Sequence, residues 1–151
     1  MHEDLLAARQ MAWECLERWV PFSEKHLYTP PDRPDLLCYG SGYINWGVQT
    51  NQKYVGTMAT LAGWRCRANN AAVEQDPAYE RALLTLRHNL ASHHTGDYHC
   101  TDGTKWGRTW ISGLGIERMM HGLEWIEPHL PEPERQGLAR LLADDLAQEV
   151  Q

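Results

Sequence analysis

Hydrophobic positions recur along the chain with the 3.6-residue period of an α-helix, and no useful stretch alternates with the two-residue period of a strand. Five segments show the helical period, and they predict helices at about 4–20, 46–64, 77–94, 112–127 and 133–150. The connections between them are turn-like or irregular. The sequence therefore predicts an all-α fold built from antiparallel helical hairpins.

Start and stop signals support these boundaries. In the third helix Asp76 is suited to the N-cap and Pro77 to the first helical position. This helix should stop near Gly96, because glycine readily adopts the left-handed conformation that ends helices. The fourth helix should end before Pro128, which disfavours helical backbone in the residue before it.

The last helix has no partner in a scheme of hairpins, and its apolar pattern continues to Val150. Two arrangements follow from this: the fifth helix packs across the others as a lid, or the chain is the front part of a longer helical array. The second is favoured here. We therefore expect one helical domain over 1–151, forming the N-terminal portion of a larger array, with self-association through the last helix.

Two long connections, 21–45 and 95–111, are rich in Gly, Pro, Tyr, Trp and His. Long loops in compact domains are usually functional or disordered, and this aromatic content argues against disorder. The second and fourth helices each follow one of these loops. Because successive helices are antiparallel, both loops should lie at the same end of the helix stack. There we expect one depression, lined by Asn45, Trp46, His99 and Arg108.

Composition and charge exclude several classes of partner. The 151 residues carry a formal charge of −6 without a Lys/Arg cluster, which argues against nucleic-acid binding. No apolar run approaches the ~20 residues that cross a bilayer. The acidic start "MHEDLLAARQ" does not resemble an export signal, so we expect a soluble chain. The four cysteines lack a C-x-x-C pair, and both reduced thiols and two disulfides remain open.

The first candidate site is the segment "YGSGYINWGVQTNQKY" at 39–54. Here Asn45, Gln49 and Asn51 bring amides to a helix N-terminus, beside the aromatic face of Trp46. Amides that form paired hydrogen bonds, next to a flat apolar surface, suit a sugar ligand. The alternative is that Asn45 only caps the helix and the aromatic residues pack in the core.

The second candidate site is "HHTGDYHCTD" at 93–102. A loop with these side chains could bind a transition metal, or hold a general base with its orienting carboxylate. The residues concerned are His93, His94, Asp97, Tyr98, His99 and Asp102. Their spacing matches no established zinc signature, so we predict neither a metal nor a cofactor. The simpler interpretation of His93 and His94 is that they interact with the C-terminal dipole of the third helix.

The third candidate site lies within 102–125. Arg108 could hold a carboxylate through two parallel hydrogen bonds, and Trp106 and Trp110 could provide stacking faces. Glu117 and His121 stand four residues apart on the fourth helix, where the simpler interpretation is an exposed, weakly stabilising pair. Each feature alone has a structural explanation. Their convergence at one end of the stack favours a binding site.

The segments "NWGVQTNQKYVGTMATLA" and "CTDGTKWGRTWISGLGIERMMHG" together resemble the helical portion of heparinase II/III-type polysaccharide lyases and related uronate-active glycosidases. That resemblance covers about 39–126. It implies stacked helical hairpins that form an incomplete (α/α) toroid. It also implies a groove across one end that binds an acidic polysaccharide or oligosaccharide.

The resemblance further implies β-elimination from a uronic acid. In such a reaction a polar residue neutralises the substrate carboxylate, and a base removes the neighbouring C5 proton. Carried over to this sequence, the carboxylate-binding residues are Asn45, Gln49 and Arg108, with Trp46, Asn51, Trp106 and Trp110 completing the substrate site. The candidate bases are Tyr98, His93, His94 and His99.

Three other functions remain open on the sequence. A glycoside hydrolase of a related toroid family would need two facing carboxylates, for which Asp97, Asp102 and Glu117 are available. A metal-dependent helical protein would use the His/Asp cluster. A non-catalytic helical module would present its aromatic loops to a glycan or a protein partner.

Overall fold

A computed structural model describes residues 2–149 and confirms the all-α fold. The five helices are α1 (His2–Ser23), α2 (Trp46–Asn69), α3 (Pro77–Ser92), α4 (Trp110–Leu123) and α5 (Glu132–Glu149). All five correspond to predicted helices, and the predicted end of the last one, at residue 150, lies outside the described residues.

Short elements occupy the connections. Single turns of 3-10 helix occur at Glu24–His26, Val73–Gln75 and Glu127–His129. Two strands of two residues each, β1 (Leu27–Tyr28) and β2 (Cys38–Tyr39), pair antiparallel inside the first long connection. This pairing ties the two ends of the connection together beside the helices.

Capping contacts explain where the helices begin and end. The Asp76 side chain accepts a hydrogen bond from the Ala78 N–H at 2.8 Å, which confirms the predicted cap of α3. Helix α4 starts two residues earlier than predicted because the Thr109 side chain caps it. Helix α3 ends at Ser92, before the predicted 94, because the backbone of Trp106 pairs with the residues that follow the last turn.

Successive helices run in opposite directions, as the sequence predicts. Arg65 near the end of α2 pairs with Asp76 at the start of α3, and Asn51 near the start of α2 bonds to Asn89 near the end of α3. Gly115 of α4 lies against Gln52 of α2, and Gly122 lies against Gly56, so α2 and α4 are parallel and both start at the end of the stack where α3 stops. That geometry determines which loops meet.

The core lies between α2, α3 and α4. Its largest fully buried apolar side chains are Tyr54, Met58, Leu61, Leu86, Met119, Leu123 and Ile126. Helices α2 and α4 approach each other closely at Gly56 and Gly122, where neither residue has a side chain to separate them. Burial of this apolar surface is the main source of stability.

Helix α1 departs from the predicted burial pattern. The helical period of 4–20 predicts a buried apolar face, but residues 2–12 are exposed, including Leu5, and Cys15 is exposed as well. The reason is that α1 contacts the body of the protein from Trp13 onward, where Trp13 stacks on Trp64 with ring centroids 4.3 Å apart.

Helix α5 is buried at Leu138 and Leu141 but exposed at Leu146. Self-association through this helix stays a prediction.

Over residues 2–149, no helix combines the length and the apolar character needed to cross a bilayer.

Candidate functional site

The two long loops meet at one end of the helix stack, as expected from the helix directions. Thr101 donates its backbone N–H to the Gly42 carbonyl at 3.0 Å and its hydroxyl to the Ser41 carbonyl at 2.7 Å. Gly42 has a φ of +65° and lies against the Thr101 hydroxyl, so a side chain at this position would collide with it. Residues 38–46 and 95–110 together are called the loop end below.

Two exposed tryptophans lie side by side at the loop end. Trp46 and Trp110 are the first residues of α2 and α4, and their side chains are 61% and 74% exposed. Their rings meet edge to face, with centroids 6.4 Å apart. Tyr43, which the sequence analysis did not single out, is also exposed in the loop before α2. Trp46 and Trp110 form what is called the tryptophan pair.

Trp106 has a structural role instead of the predicted stacking role. Its side chain is buried, and its indole N–H donates to the Asn89 carbonyl at 2.9 Å. The ring also packs edge-on against His93. Trp106 therefore attaches the second loop to the end of α3 and offers no face to a ligand.

Of the three amide side chains predicted to bind a ligand, two are buried and one is exposed. Asn51 is fully buried and makes three hydrogen bonds, accepting from the Tyr39 N–H and donating to the Thr85 carbonyl and the Asn89 side chain. Gln49 is also buried. Asn45 alone of the three is exposed, at the N-cap position of α2, where its side chain makes no capping bond.

A small cavity lies beneath this surface, between the starts of α2 and α4. Its volume is about 20 Å³, and its polar lining comes from Asn45, Gln52, Thr109 and Ser112. Such a volume suits one water molecule and excludes a sugar ring. The cavity is not lined by Trp46, His99 or Arg108. It is therefore not the depression that these residues were expected to share with Asn45.

Tyr98 contacts the first long connection, and His99 contacts Tyr98. The Tyr98 hydroxyl donates to Asp32 at 2.8 Å, and its ring stacks on His99 with centroids 4.3 Å apart. Burial and the neighbouring Asp32 raise the pKa of Tyr98 to about 12. A phenol with that pKa is protonated at neutral pH, which argues against Tyr98 as the base.

His94 is exposed and lies beside Gly107, next in the chain to Arg108. Partial burial, followed by the positive charge of Arg108, lowers the pKa of His94 below its ordinary value. A lowered pKa keeps the imidazole uncharged at neutral pH and able to accept a proton.

Arg108 is already engaged by a carboxylate of the protein. Its guanidinium forms two parallel hydrogen bonds with Asp144, from Nε at 3.0 Å and from Nη2 at 2.8 Å, and its backbone N–H donates to Asp145 at 2.8 Å. Arg108 lowers the pKa of Asp144 through these bonds. The bidentate face of Arg108 that was assigned to a substrate is therefore occupied, leaving Nη1.

His93 is fully buried at the C-cap of α3. Its Nε2 lies 3.6 Å from Asp145 Oδ1 and 4.0 Å from Asp144 Oδ2, while its Nδ1 lies 2.9 Å from the Thr95 hydroxyl. Sequence reasoning did not connect the two aspartates with His93. The available signal was the adjacent pair of acids interrupting the apolar pattern of the last helix.

The carboxylates considered for a hydrolase each engage a different partner. Asp97 pairs with Arg33 at 3.3 Å, Asp102 accepts from the Thr104 hydroxyl within its own turn, and Glu117 pairs with His121 on the exposed face of α4. The last pair is the simple surface contact that the spacing indicates. None of these contacts brings two carboxylates to face each other.

A larger groove runs between α3, α5 and the 33–36 segment, and sequence reasoning missed it. Its volume is about 470 Å³, and its charged lining residues are Arg33, Asp35, Arg87, Asp97, Glu134 and Arg140. Arg33 is held by Asp35 and Asp97, and Arg87 is held by Glu134. These ion pairs neutralise most of the positive charge of the groove.

No protein-family model matches the chain, and neither a curated protein nor a solved structure is significantly similar to it. The function is therefore argued from the geometry of the loop end.

Proposed function

We propose that the loop end binds an acidic oligosaccharide against the tryptophan pair and cleaves it by β-elimination. The observation that carries this proposal is the exposure of Trp46 and Trp110 next to each other at the starts of two parallel helices. Exposed large aromatic side chains in contact are uncommon on a soluble surface and mark binding sites. The ordering of the helices, up and down in turn, supports an (α/α) toroid.

The tryptophan pair suits a sugar for two reasons. An indole ring presents a flat apolar face on which the C–H side of a sugar ring can pack, and its N–H can donate to a hydroxyl. Asn45, exposed next to Trp46, adds an amide that both donates and accepts. Its side chain is not used to cap α2.

An acidic sugar is favoured by the polarity of the loop end. The N-termini of α2 and α4 bring two positive dipole ends to this surface, together with backbone N–H groups that lack helical partners. Arg108 lies in the loop just before α4, and the Nη1 atom of its guanidinium is not used in the hydrogen bonds to Asp144. These groups would stabilise a uronate carboxylate and the charge that develops on it during proton removal.

Among the four candidate bases, His94 fits the chemistry best. It is exposed and its pKa is lowered, whereas His93 is buried and Tyr98 is a phenol with a raised pKa. In the proposed step His94 takes the C5 proton of the uronate, and the C4–O bond breaks as the C4–C5 double bond forms. The imidazolium of His94 then gives this proton to the departing oxygen, and the product carries an unsaturated uronate.

Replacing either Trp46 or Trp110 by alanine should weaken oligosaccharide binding about tenfold, because the stacking face is lost. Titration calorimetry with oligogalacturonate, alginate and glycosaminoglycan fragments, and with neutral xylan fragments, measures this. Phe22→Ala is the matched control, since Phe22 is 62% exposed but lies on α1. Equal binding by wild type and both tryptophan variants would sink the proposed sugar site.

His94→Ala should lower turnover by about 100-fold or more while leaving the binding constant nearly unchanged, because a base acts in the transition state. The ultraviolet absorbance of the unsaturated product measures turnover. His99→Ala is the control, since the His99 ring stacks on Tyr98. The wild-type rate should stay level through neutral pH and fall only at acidic pH, where His94 gains its proton.

Full turnover by the His94 variant contradicts the assigned base. If wild type binds these glycans through the tryptophan pair but yields no unsaturated product from any of them, the elimination step is wrong, and the loop end is a binding module.

A further inference from the structure

The ends of α3 and α5 meet at a cluster of one histidine and two aspartates. Ligand atoms of His93, Asp144 and Asp145 all lie within 4.8 Å of one another. Across the described part of the chain, 2–149, this is the one group of three or more such residues close enough to share a cation. It lies beneath the surface, behind Arg108.

Two atoms of this cluster are buried without a hydrogen-bond partner. His93 is 0% exposed, and its Nε2 makes no hydrogen bond, since the 3.6 Å separation from Asp145 is too long. Asp145 Oδ2 is likewise buried and unpaired. An unsatisfied buried polar group costs about 1 to 3 kcal/mol, and a cation bound within the cluster would give both atoms a partner.

The other side of the His93 ring makes two contacts with Thr95. Nδ1 lies 2.9 Å from the Thr95 hydroxyl, whose oxygen can accept a hydrogen bond from Nδ1–H and leave the Nε2 lone pair directed at the carboxylates. The Thr95 N–H also approaches Nδ1, at 3.2 Å, and this contact supports the opposite tautomer, with the proton on Nε2. A cation between Nε2 and the carboxylates selects the first tautomer.

The space beside Nε2 is kept open by a residue without a side chain. A Cβ on Gly107 would lie 2.5 Å from Nε2, so any other residue would fill this position. The φ of Gly107 is +127°, which also disfavours a substituted residue. The backbone therefore leaves room next to the lone pair of His93.

Arg108 organises the two carboxylates without using up their oxygens. It holds Asp144 through two side-chain hydrogen bonds and Asp145 through its backbone N–H. Each carboxylate oxygen has two lone pairs, so the oxygens that face His93 can accept a second partner. Two carboxylates against one guanidinium leave a net negative charge, which favours a cation.

We propose that His93 Nε2, Asp144 and Asp145 bind a divalent transition-metal ion of the zinc class. Imidazole and carboxylate are ligands of such ions, and bond lengths near 2.0 to 2.2 Å in a tetrahedral arrangement separate the ligand atoms by about 3.4 Å. The separation of 3.6 Å from His93 Nε2 to Asp145 is close to that value, and the 4.0 Å separation to Asp144 has to shorten by roughly half an ångström when the ion binds. Three protein ligands leave a fourth position for water or a ligand. This metal site does not depend on the proposed sugar site.

Zinc titration into the chelator-treated chain, followed by calorimetry, tests the site. We expect one ion per chain and a rise in the melting temperature, since an ion that binds the folded chain stabilises it. Co²⁺ should give the visible absorption of a four-coordinate site. His93→Gln and Asp145→Asn should each weaken binding about 100-fold or more, at least the loss seen for supporting residues of metal sites.

His94→Gln is the control, because His94 is adjacent in the chain but exposed and outside the cluster. Asp145→Asn keeps the oxygen that accepts from the Arg108 N–H, so it should remain folded, and it decides the question if His93→Gln does not fold. Absence of zinc binding by wild type overturns the proposal. Binding of wild-type strength by Asp145→Asn also overturns it.

Discussion

Asn51→Ala should lower the free energy of unfolding by about 3 kcal/mol or more, which makes it one of the most damaging single changes in this chain. Asn51 is fully buried and links three elements through its amide: the Tyr39 backbone, the Thr85 carbonyl and the Asn89 side chain. Alanine removes these bonds and leaves buried donors and acceptors unpaired. Chemical denaturation followed by circular dichroism measures the loss.

Asn69→Ala is the matched control, because Asn69 is an exposed asparagine in the last turn of the same helix. Its effect should stay within about 0.5 kcal/mol. The pair also separates two roles for Asn51. A substrate-binding residue would lose affinity with little loss of stability, and that outcome for Asn51→Ala would contradict the structural role.

Gly122→Ala should destabilise the protein by about 3 kcal/mol, because the added Cβ meets backbone that cannot move independently. The Cβ would lie well under 3 Å from the carbonyl oxygen and the Cα of Gly56 on the facing helix. Helices α2 and α4 would have to separate, and the buried apolar contacts of Met119 and Leu123 would loosen with them. For a chain of this size the melting temperature should fall by roughly 10 °C.

Gly137→Ala is the control for this change. It also lies inside a helix, but its added Cβ would meet the end of the flexible Leu90 side chain. There the higher helix propensity of alanine offsets the contact, and the net change should be small. Equal stability losses for both variants would show that the close approach of α2 and α4 at Gly122 is not the cause.

The proposed sugar site and the proposed metal site meet at Arg108. Its guanidinium faces Asp144 of the metal cluster, while the residue two positions later is Trp110 of the tryptophan pair. A cation bound by the Asp144 carboxylate would weaken the hydrogen bonds between Asp144 and Arg108. The Arg108 guanidinium could then bind a sugar carboxylate more strongly. Measuring sugar affinity with and without zinc therefore tests whether the two sites are coupled.

The sequence by itself determined the helices and their order. Apolar periodicity and the Asp76 cap are local properties, because they depend on residues within one or two turns of each other. The convergence of the two long loops also follows from the chain, since alternating helix directions leave two ends for the connections. For the same reason the sequence predicted that the candidate binding site lies at the loop end.

Only the tertiary structure decided which side chains at the loop end are available. Trp106 and Trp110 are four residues apart and chemically alike, yet one is buried against Asn89 and the other is exposed. The outer turns of α1 carry an apolar pattern but are exposed. Burial depends on which distant element packs opposite a residue, and local periodicity does not contain that information.

The cluster of His93, Asp144 and Asp145 shows most clearly what only the tertiary structure decided. Asp144 and Asp145 lie about fifty residues along the chain from His93 and on a different helix, and they meet it because α3 and α5 run parallel and end together. The same fold directs the Arg108 guanidinium onto Asp144. A sequence shows which reactive side chains exist, but the distances that make them a site are set by the packing of the helices.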